Sequence, residues 1–573
     1  MFDALFTTTT EYKKLSHALS GKGACALFGL PASGRAQVYA ALCRQLDKPL
    51  CIVTPGEAEA TRFAADLNTL GIPAAVFPAR DYVLRPIEGT AREYEYRRLA
   101  VLGELVGGRL RAVAVPAEAL TQFTTPKEDF CANTRTLHAG DTLLRDDLLA
   151  ALFGAGYTRR AQVDGPGQFS VRGDIVDIFA PDQKMPVRME FWGDEIDTLH
   201  TFDLTTQRRE DAIDKFYLSP AREVLFGKPA DAAEQLRAFL AKQRGKKKTA
   251  MADCMAADLD LLDGGAVPVN MDKYLVVRYP HPATVLDYFD DPILVAEEPA
   301  SIREADRATA YRRGEELKSL ILDGVLCAGL DNLYADPSYL WSKTGYYRTI
   351  CAENFARSMP DQPLKDIVNA PAHTLPAWNG EVAGLLEDLK PLCDAGYTVT
   401  LLAGTDRAAA GLARDLRDKG ILVTTDAAAA PAAGLVQVLA GHLSAGCEFP
   451  FVKYALLTGR AFGETSSQKK KRKKAKDALN SLTEITPGDL VVHQNHGMRA
   501  SSEWRFRALP KTTCALSTIK KMCCMFPSPS WTCFPATPRR GIRRMSSSAA
   551  WAGPSGPRPA RRCAPLPSRW PRN

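Results

Sequence analysis

The chain has 573 residues, 24% charged, 46% hydrophobic and 8% aromatic, a length that accommodates three or four domains and excludes a single small module. Its formal charge of +7 is unevenly spread: residues 499–573 hold 15 of the 73 Lys/Arg but only Glu503 of the 66 acids, so residues 1–498 carry 58 bases against 65 acids and do not read as a general electrostatic clamp on DNA. The start Met1-Phe2-Asp3-Ala4-Leu5-Phe6 lacks a basic, long-cored signal sequence and no run of about 18 apolar residues occurs, so a soluble cytoplasmic protein with no membrane segment is expected.

In chain order, the apolar run Ala24 to Phe28 predicts a strand, followed by a glycine turn and a helix from Gln37 to Leu46. The alternation continues with strand Leu50 to Thr54, helix Glu57 to Leu70, strand Ala74 to Phe77, helix Glu93 to Leu105 and strand Ala112 to Val115. Strands separated by helices of this length imply a doubly wound α/β sheet. Between Leu148 and Thr201 short alternating strands with Gly-rich turns take over, as expected of an inserted β-containing module. α/β character returns around Tyr274 to Glu298, where Ile293 to Ala296 ends in two acids. Another α/β unit is predicted from about Leu375 to Glu464, with helices Glu381 to Leu389 and Ala408 to Lys419 and strands Thr398 to Leu402 and Val436 to Leu439. After it, Thr465 to Asn480 is a polar, Lys-rich linker, and no internal repeat is present. Nine of the 14 cysteines are scattered through the body with no C-x-x-C pair, which predicts buried free thiols rather than a zinc site or a disulfide framework.

Gly29-Leu30-Pro31-Ala32-Ser33-Gly34-Arg35-Ala36 follows a predicted strand and opens a predicted helix, the setting of a phosphate-binding loop G-x-x-x-x-G-K-[ST]. Two positions are wrong for catalysis. Arg35 replaces the lysine that would reach the outer phosphates, and Ala36 replaces the hydroxyl that would hold Mg²⁺. A relic NTPase fold without activity is the expectation; weak anion binding is the alternative. Glu297 and Glu298 occupy the place of the second motif of such a fold, with Glu where Asp would be usual.

The most informative stretch runs from Gly165 through Arg172-Gly173-Asp174-Ile175-Val176-Asp177-Ile178-Phe179 to Pro186-Val187-Arg188-Met189-Glu190-Phe191-Trp192. Period two puts Val187, Met189 and Phe191 on one face of a strand and Arg188, Glu190 and Trp192 on the other. An aromatic flanked by Arg is the composition of a protein-binding hot spot, unless another element of the same chain covers Trp192.

This stretch, together with Pro220-Ala221-Arg222-Glu223-Val224, Met271-Asp272-Lys273-Tyr274-Leu275 and Leu286-Asp287-Tyr288, resembles the amino-terminal half of bacterial transcription-repair coupling factors (Mfd), itself similar to UvrB. The resemblance runs from about Ala24 to Gly497. It implies a UvrB-like, degenerate P-loop NTPase-type α/β domain with an inserted β-containing module, a second small α/β domain and a truncated β domain. The implied boundaries are 1–118 and 213–345 for the two segments of the first domain and 119–212 for the insert. They continue as 346–464 for the small α/β domain, 465–484 for a basic linker, 485–498 for the start of an RNA polymerase-binding domain and 499–573 for an out-of-frame tail. The insert is implied to bind UvrA, through Arg172, Arg188, Glu190 and Trp192. The loop residues Gly29, Gly34, Arg35 and Ala36 are implied to be an inactive nucleotide site. The family's motor, with its ATP and Mg²⁺ and its DNA contact, lies beyond this chain, so no cofactor is expected and the chain is read as a binding module rather than an enzyme. A UvrB-like ATP-dependent DNA-binding protein and a non-functional gene fragment are the alternatives.

Lys469 to Lys476 carries seven bases and reads as a solvated linker, and the family has a basic linker there. His493 and His496 lack further ligands at metal spacing. Beyond Met498 Pro, Arg, Ser and Cys rise together and no periodicity survives, which predicts a disordered tail. Regrouping the codons of Lys521 to Cys533 permits Asp-Val-Leu-Tyr-Val-Pro-Val-Thr-Gln-Leu-Asp, a string that resembles the polymerase-binding domain. The gene, or its sequence as read, therefore shifts frame near codon 498.

Overall fold

The computed structural model describes residues 1–86, 92–359, 362–378 and 382–459, and the backbone of five strands between 490 and 527. Strands β1 (Gly23–Phe28), β2 (Leu50–Thr54), β3 (Ala74–Val76) and β4 (Ala112–Pro116) alternate with helices Ala32–Leu46, Glu57–Thr69 and Glu93–Val106. Every residue of β2 and β4 is buried. Helices on both faces of a parallel sheet leave no wet side, which is why these strands are apolar runs rather than alternations.

After β4 the chain leaves the sheet for β5 (Arg135–His138), β6 (Thr158–Arg159), β7 (Gln168–Arg172), β8 (Ile175–Phe179), β9 (Val187–Trp192), β10 (Glu195–Phe202), β11 (Arg209–Ala212) and β12 (Lys215–Leu218). Six of these form one sheet in the order β11-β10-β9-β8-β7-β6, while β12 pairs with β5. Phe169, Val176, Ile178, Met189, Phe191 and Leu199 bury its inner face with Leu148 and Leu152 of helix Arg145–Gly154. The insert therefore runs to Leu218, beyond the expected limit of 212, because β12 closes on a strand almost 80 residues earlier and local periodicity carries no sign of that pairing.

Residues 219–292 are helical, built on helices Pro229–Ala241 and Gly245–Asp263. The chain then re-enters the first sheet through β13 (Ile293–Glu297), β14 (Arg348–Glu353) and β15 (Leu364–Asn369), giving the order β15-β1-β14-β13-β2-β4-β3. The boundary expected at 345/346 thus falls inside the first domain. No predicted helix separates β14 from β15, so the pair did not read as a crossover. The next sheet comprises β16 (His373–Leu375), β17 (Thr398–Leu402), β18 (Val423–Thr424), β19 (Val436–Leu439), β20 (Gly446–Phe449) and β21 (Tyr454–Thr458). Its order is β16-β20-β21-β17-β19-β18, with helices Val382–Asp394 and Asp406–Asp418 against it. Cys447, Phe449, Tyr454 and Leu456 of this domain share one core with Phe2, Phe6, Ala36 and Val38.

Residues 471–573 form a separate unit. Its backbone pairs β22 (Leu490–His493) with β23 (Gly497–Ala500), and joins β24 (Trp504–Ala508), β25 (Thr513–Thr518) and β26 (Met522–Pro527) in an antiparallel sheet. The strands contain Trp504, Phe506, Thr513, Thr518 and Phe526, residue types that favour extended backbone. Residues 465–484, the run Lys469 to Lys476, His496 and residues 528–573 lie outside the described residues. Of the nine body cysteines six are buried, but Cys131 is exposed and Cys254 and Cys393 are half-buried.

Candidate functional site

The parallel sheet brings the two NTPase-like motifs together at the carboxyl ends of β1 and β13, the crevice where such sheets bind ligands. Gly29 ends β1 at φ 86°, a left-handed turn that glycine makes without strain. Arg35, in the first turn of helix Ala32–Leu46, is buried, and its Nε lies 3.0 Å from Glu297 Oε2 and its Nη1 2.8 Å from Glu298 Oε1. Tyr39, one turn on, donates its hydroxyl to Glu297 Oε1. Burial opposes the charge on Arg35, but Glu297, Tyr39 and Glu298 outweigh it and raise its pKa. Burial likewise raises the pKa of Glu297, against the pull of Arg35.

These residues do not fit a nucleotide and its metal. The one loop cation is consumed by the two carboxylates that would hold Mg²⁺, and Ala36 offers no oxygen. A cleft of about 320 Å³ remains beside them, lined by Arg35, Glu59, Arg62, Glu297 and Glu298. The far side of the loop is covered by the following domain: a Cβ on Gly34 would come within 2.9 Å of Cys447 Sγ and 3.3 Å of Phe449. The small residue at Gly34 therefore serves packing between two domains of the chain.

On the insert the predicted alternation is observed, with Val187, Met189 and Phe191 buried and Arg188, Glu190 and Trp192 on the outer face. Arg172 shares that face but lies on β7, two strands from β9 rather than on its neighbour. Asp177 on β8 joins them: its buried carboxylate accepts Arg188 Nε at 2.7 Å and Nη2 at 3.0 Å, and Arg172 Nη2 at 2.5 Å. Arg188 also stacks 4.8 Å above the Phe202 ring. Glu190 pairs with Arg209 and accepts Thr198 Oγ1 at 3.3 Å. Arg188 and Glu190 are thus cross-strand struts, while Trp192 is 82% exposed beside the Gly193 turn, and no element among the described residues covers it. Because Arg188 balances a buried carboxylate, Arg188→Ala should lower stability by about 1.5 kcal/mol in urea unfolding, with Arg172 retaining part of the compensation; a loss below about 0.5 kcal/mol would show that Arg172 suffices.

The motif residues Glu223 and Asp272 have a structural task. Glu223, at the exit of the insert, receives Arg98 Nε at 2.6 Å and Arg80 Nε at 3.2 Å, and Arg80 Nη1 reaches Asp272 at 2.7 Å, all four buried. Glu95 accepts the Glu223 amide at 3.0 Å and pairs with Arg92. Sequence reasoning passed over Asp177, Tyr39 and Cys447. Only Asp177 left a trace, as an acid breaking the apolar run Ile175 to Phe179 on the face of Arg172. Among the described residues no group of His, Cys, Asp and Glu could hold a metal ion, and no helix is long and apolar enough to cross a membrane.

Residues 136–224 match the family model of the UvrB interaction domain. Over 489 residues the chain is 26% identical to the transcription-repair-coupling factor of Bacillus subtilis, a match covering 82% of this chain and 41% of that protein. The corresponding proteins of Staphylococcus haemolyticus and Staphylococcus aureus are 25% and 24% identical, with the same coverage. The chain spans about two fifths of the length of these relatives. By these matches and by its α/β architecture, the chain is similar to the amino-terminal part of transcription-repair-coupling factors and carries a UvrB interaction domain between β5 and the exit of its insert.

Proposed function

We propose that this chain recruits UvrA in transcription-coupled DNA repair through the outer face of its inserted sheet, and that its phosphate-loop helix performs no catalysis. The observation that carries the reading is Trp192, exposed at the end of a strand whose other outward side chains are held in ion pairs. A large rigid aromatic on the same sheet face as guanidinium groups offers apolar area and charge-assisted hydrogen bonding to one partner. The similarity to a UvrB interaction domain supports UvrA as the partner. RNA polymerase enters this reading only where the chain continues in frame beyond codon 498, and the family's own DNA contact belongs to its motor; the setting is the cytoplasm. Titration with purified UvrA should give a saturable complex with Kd of about 1 μM or tighter. No complex at about tenfold that concentration would overturn the reading.

The loop gives a separate test. ATP hydrolysis with Mg²⁺ should stay at background, and excess ATP·Mg²⁺ should leave Tm unchanged, since any ligand bound only by the folded state raises it. A turnover or Tm shift that disappears in Gly34→Asp would contradict this.

A further inference from the structure

The turn between helices Pro229–Ala241 and Gly245–Asp263 concentrates cations in a body that is otherwise mildly acidic. Lys242, Arg244, Lys246, Lys247 and Lys248 fall within seven residues, all exposed, and none forms an ion pair among the described residues. Their position runs against the helix they open. Lys246, Lys247 and Lys248 occupy the first turn of Gly245–Asp263, where the amide dipoles point positive, while Asp260 and Asp263 sit at its negative end. No acid stands in the first turn and no base in the last. Such an arrangement repels itself, and a sequence under selection for stability alone would invert it. Local rules broken in this way mark sites where a partner supplies the missing charge.

Two features select the partner. Successive helical residues turn by about 100°, so the three lysines fan around the helix end, and no single small anion reaches them together with Lys242 and Arg244. A chain of anions does. Residues 229–260 expose no large apolar side chain, and Leu261, 47% exposed, stands at the opposite end of the helix, so the turn itself lacks the aromatic or aliphatic anchors of a protein-binding hot spot and the platforms on which single-stranded bases stack. What remains is phosphate recognition alone, which is blind to base sequence. We propose that residues 242–248 form a sequence-independent contact for the phosphate backbone of a nucleic-acid duplex, separate from the Trp192 face.

The test is fluorescence anisotropy of the full chain with two labelled DNA duplexes of unrelated sequence, titrated at several KCl concentrations. The triple variant Lys246→Gln, Lys247→Gln, Lys248→Gln should bind both duplexes more weakly. Its slope of log Kobs against log salt should be shallower by roughly 2 to 3, at about 0.9 per lost phosphate contact. Its Tm should be equal or higher, because the removed charges opposed the helix dipole, and this separates a binding role from a structural one. The control Lys13→Gln, Lys14→Gln, Lys22→Gln removes equal charge from exposed lysines elsewhere. An unchanged slope in the first variant, or an equal change in the control, would overturn the proposal. Tighter binding of poly-glutamate than of either duplex at equal charge concentration would assign the surface to an acidic protein instead.

Discussion

Glu223→Ala should cost about 3–5 kcal/mol of unfolding free energy, the loss expected when one member of a buried ion pair is removed and its partner stays. Glu223 is fully buried and compensates two guanidinium groups, those of Arg98 and Arg80, which belong to helix Glu93–Val106 and to the segment after β3. Asp272 would hold one hydrogen-bonded edge of Arg80, and Gln122, 2.9 Å from Arg98 Nη1, would remain a neutral acceptor. Neither replaces the charge at Arg98. Urea unfolding of Glu223→Ala and Glu223→Gln measures the effect; the glutamine keeps shape and one acceptor and should recover only part of it. A loss below about 1 kcal/mol in the alanine variant would mean that the network is held elsewhere. The same cluster sets an acid limit. Burial alone would raise the pKa of Glu95, but Arg80, Arg92 and Arg222 outweigh it and hold it at about 2. A carboxylate whose pKa is depressed by folding contributes stability that is whole above its ordinary value near 4.5 and is lost as pH falls towards 2. Unfolding free energy should therefore decline between those limits, and the decline should be smaller in Glu95→Gln.

Trp192→Ala should weaken UvrA binding about thirtyfold, or roughly 2 kcal/mol, if the ring fills a pocket on the partner. Its own fold should change by no more than about 0.5 kcal/mol, because the side chain touches solvent rather than core. Arg172 is the second position of choice, its side chain half exposed beyond Asp177, whereas Arg188 would mix binding with stability through the buried carboxylate it balances. Surface plasmon resonance on Trp192→Ala and on the Trp192→Ala, Arg172→Ala pair measures both terms. Unchanged affinity in the pair would move the recruitment surface to another part of the insert.

What could be read from the sequence follows from where its signals reside. β1, β2, β4 and β13 are buried on both faces, so each is an apolar run bounded by polar turns and stands out locally. β9 is half-wet and betrays itself by alternation, which is why the period-two pattern alone assigns Trp192 to the outer face. The rest depends on closures over long chain distances. Arg35 meets Glu298 across 263 residues and Arg98 meets Glu223 across 125; no period or composition announces such pairs. The departures at Arg35 and Ala36 were legible, but the pairing of Arg35 with Glu297 and Glu298 was not. Arg172 and Arg188 were legible as a basic patch, but the acid between them turned one of the two into a strut.

The contact between Gly34 and Cys447 bears on how the molecule responds to the energy state of the cell. In a working NTPase the helix after the first strand opens on a phosphate, and neighbouring domains move with the nucleotide found there. Here that helix abuts a second domain whose Phe449 and Tyr454 continue the core down to Phe2. If the loop binds no nucleotide, as proposed above, the relative placement of the two domains would contain no term in ATP or ADP concentration. A partner of the insert would then meet the same surface whatever starvation or growth does to adenylate levels.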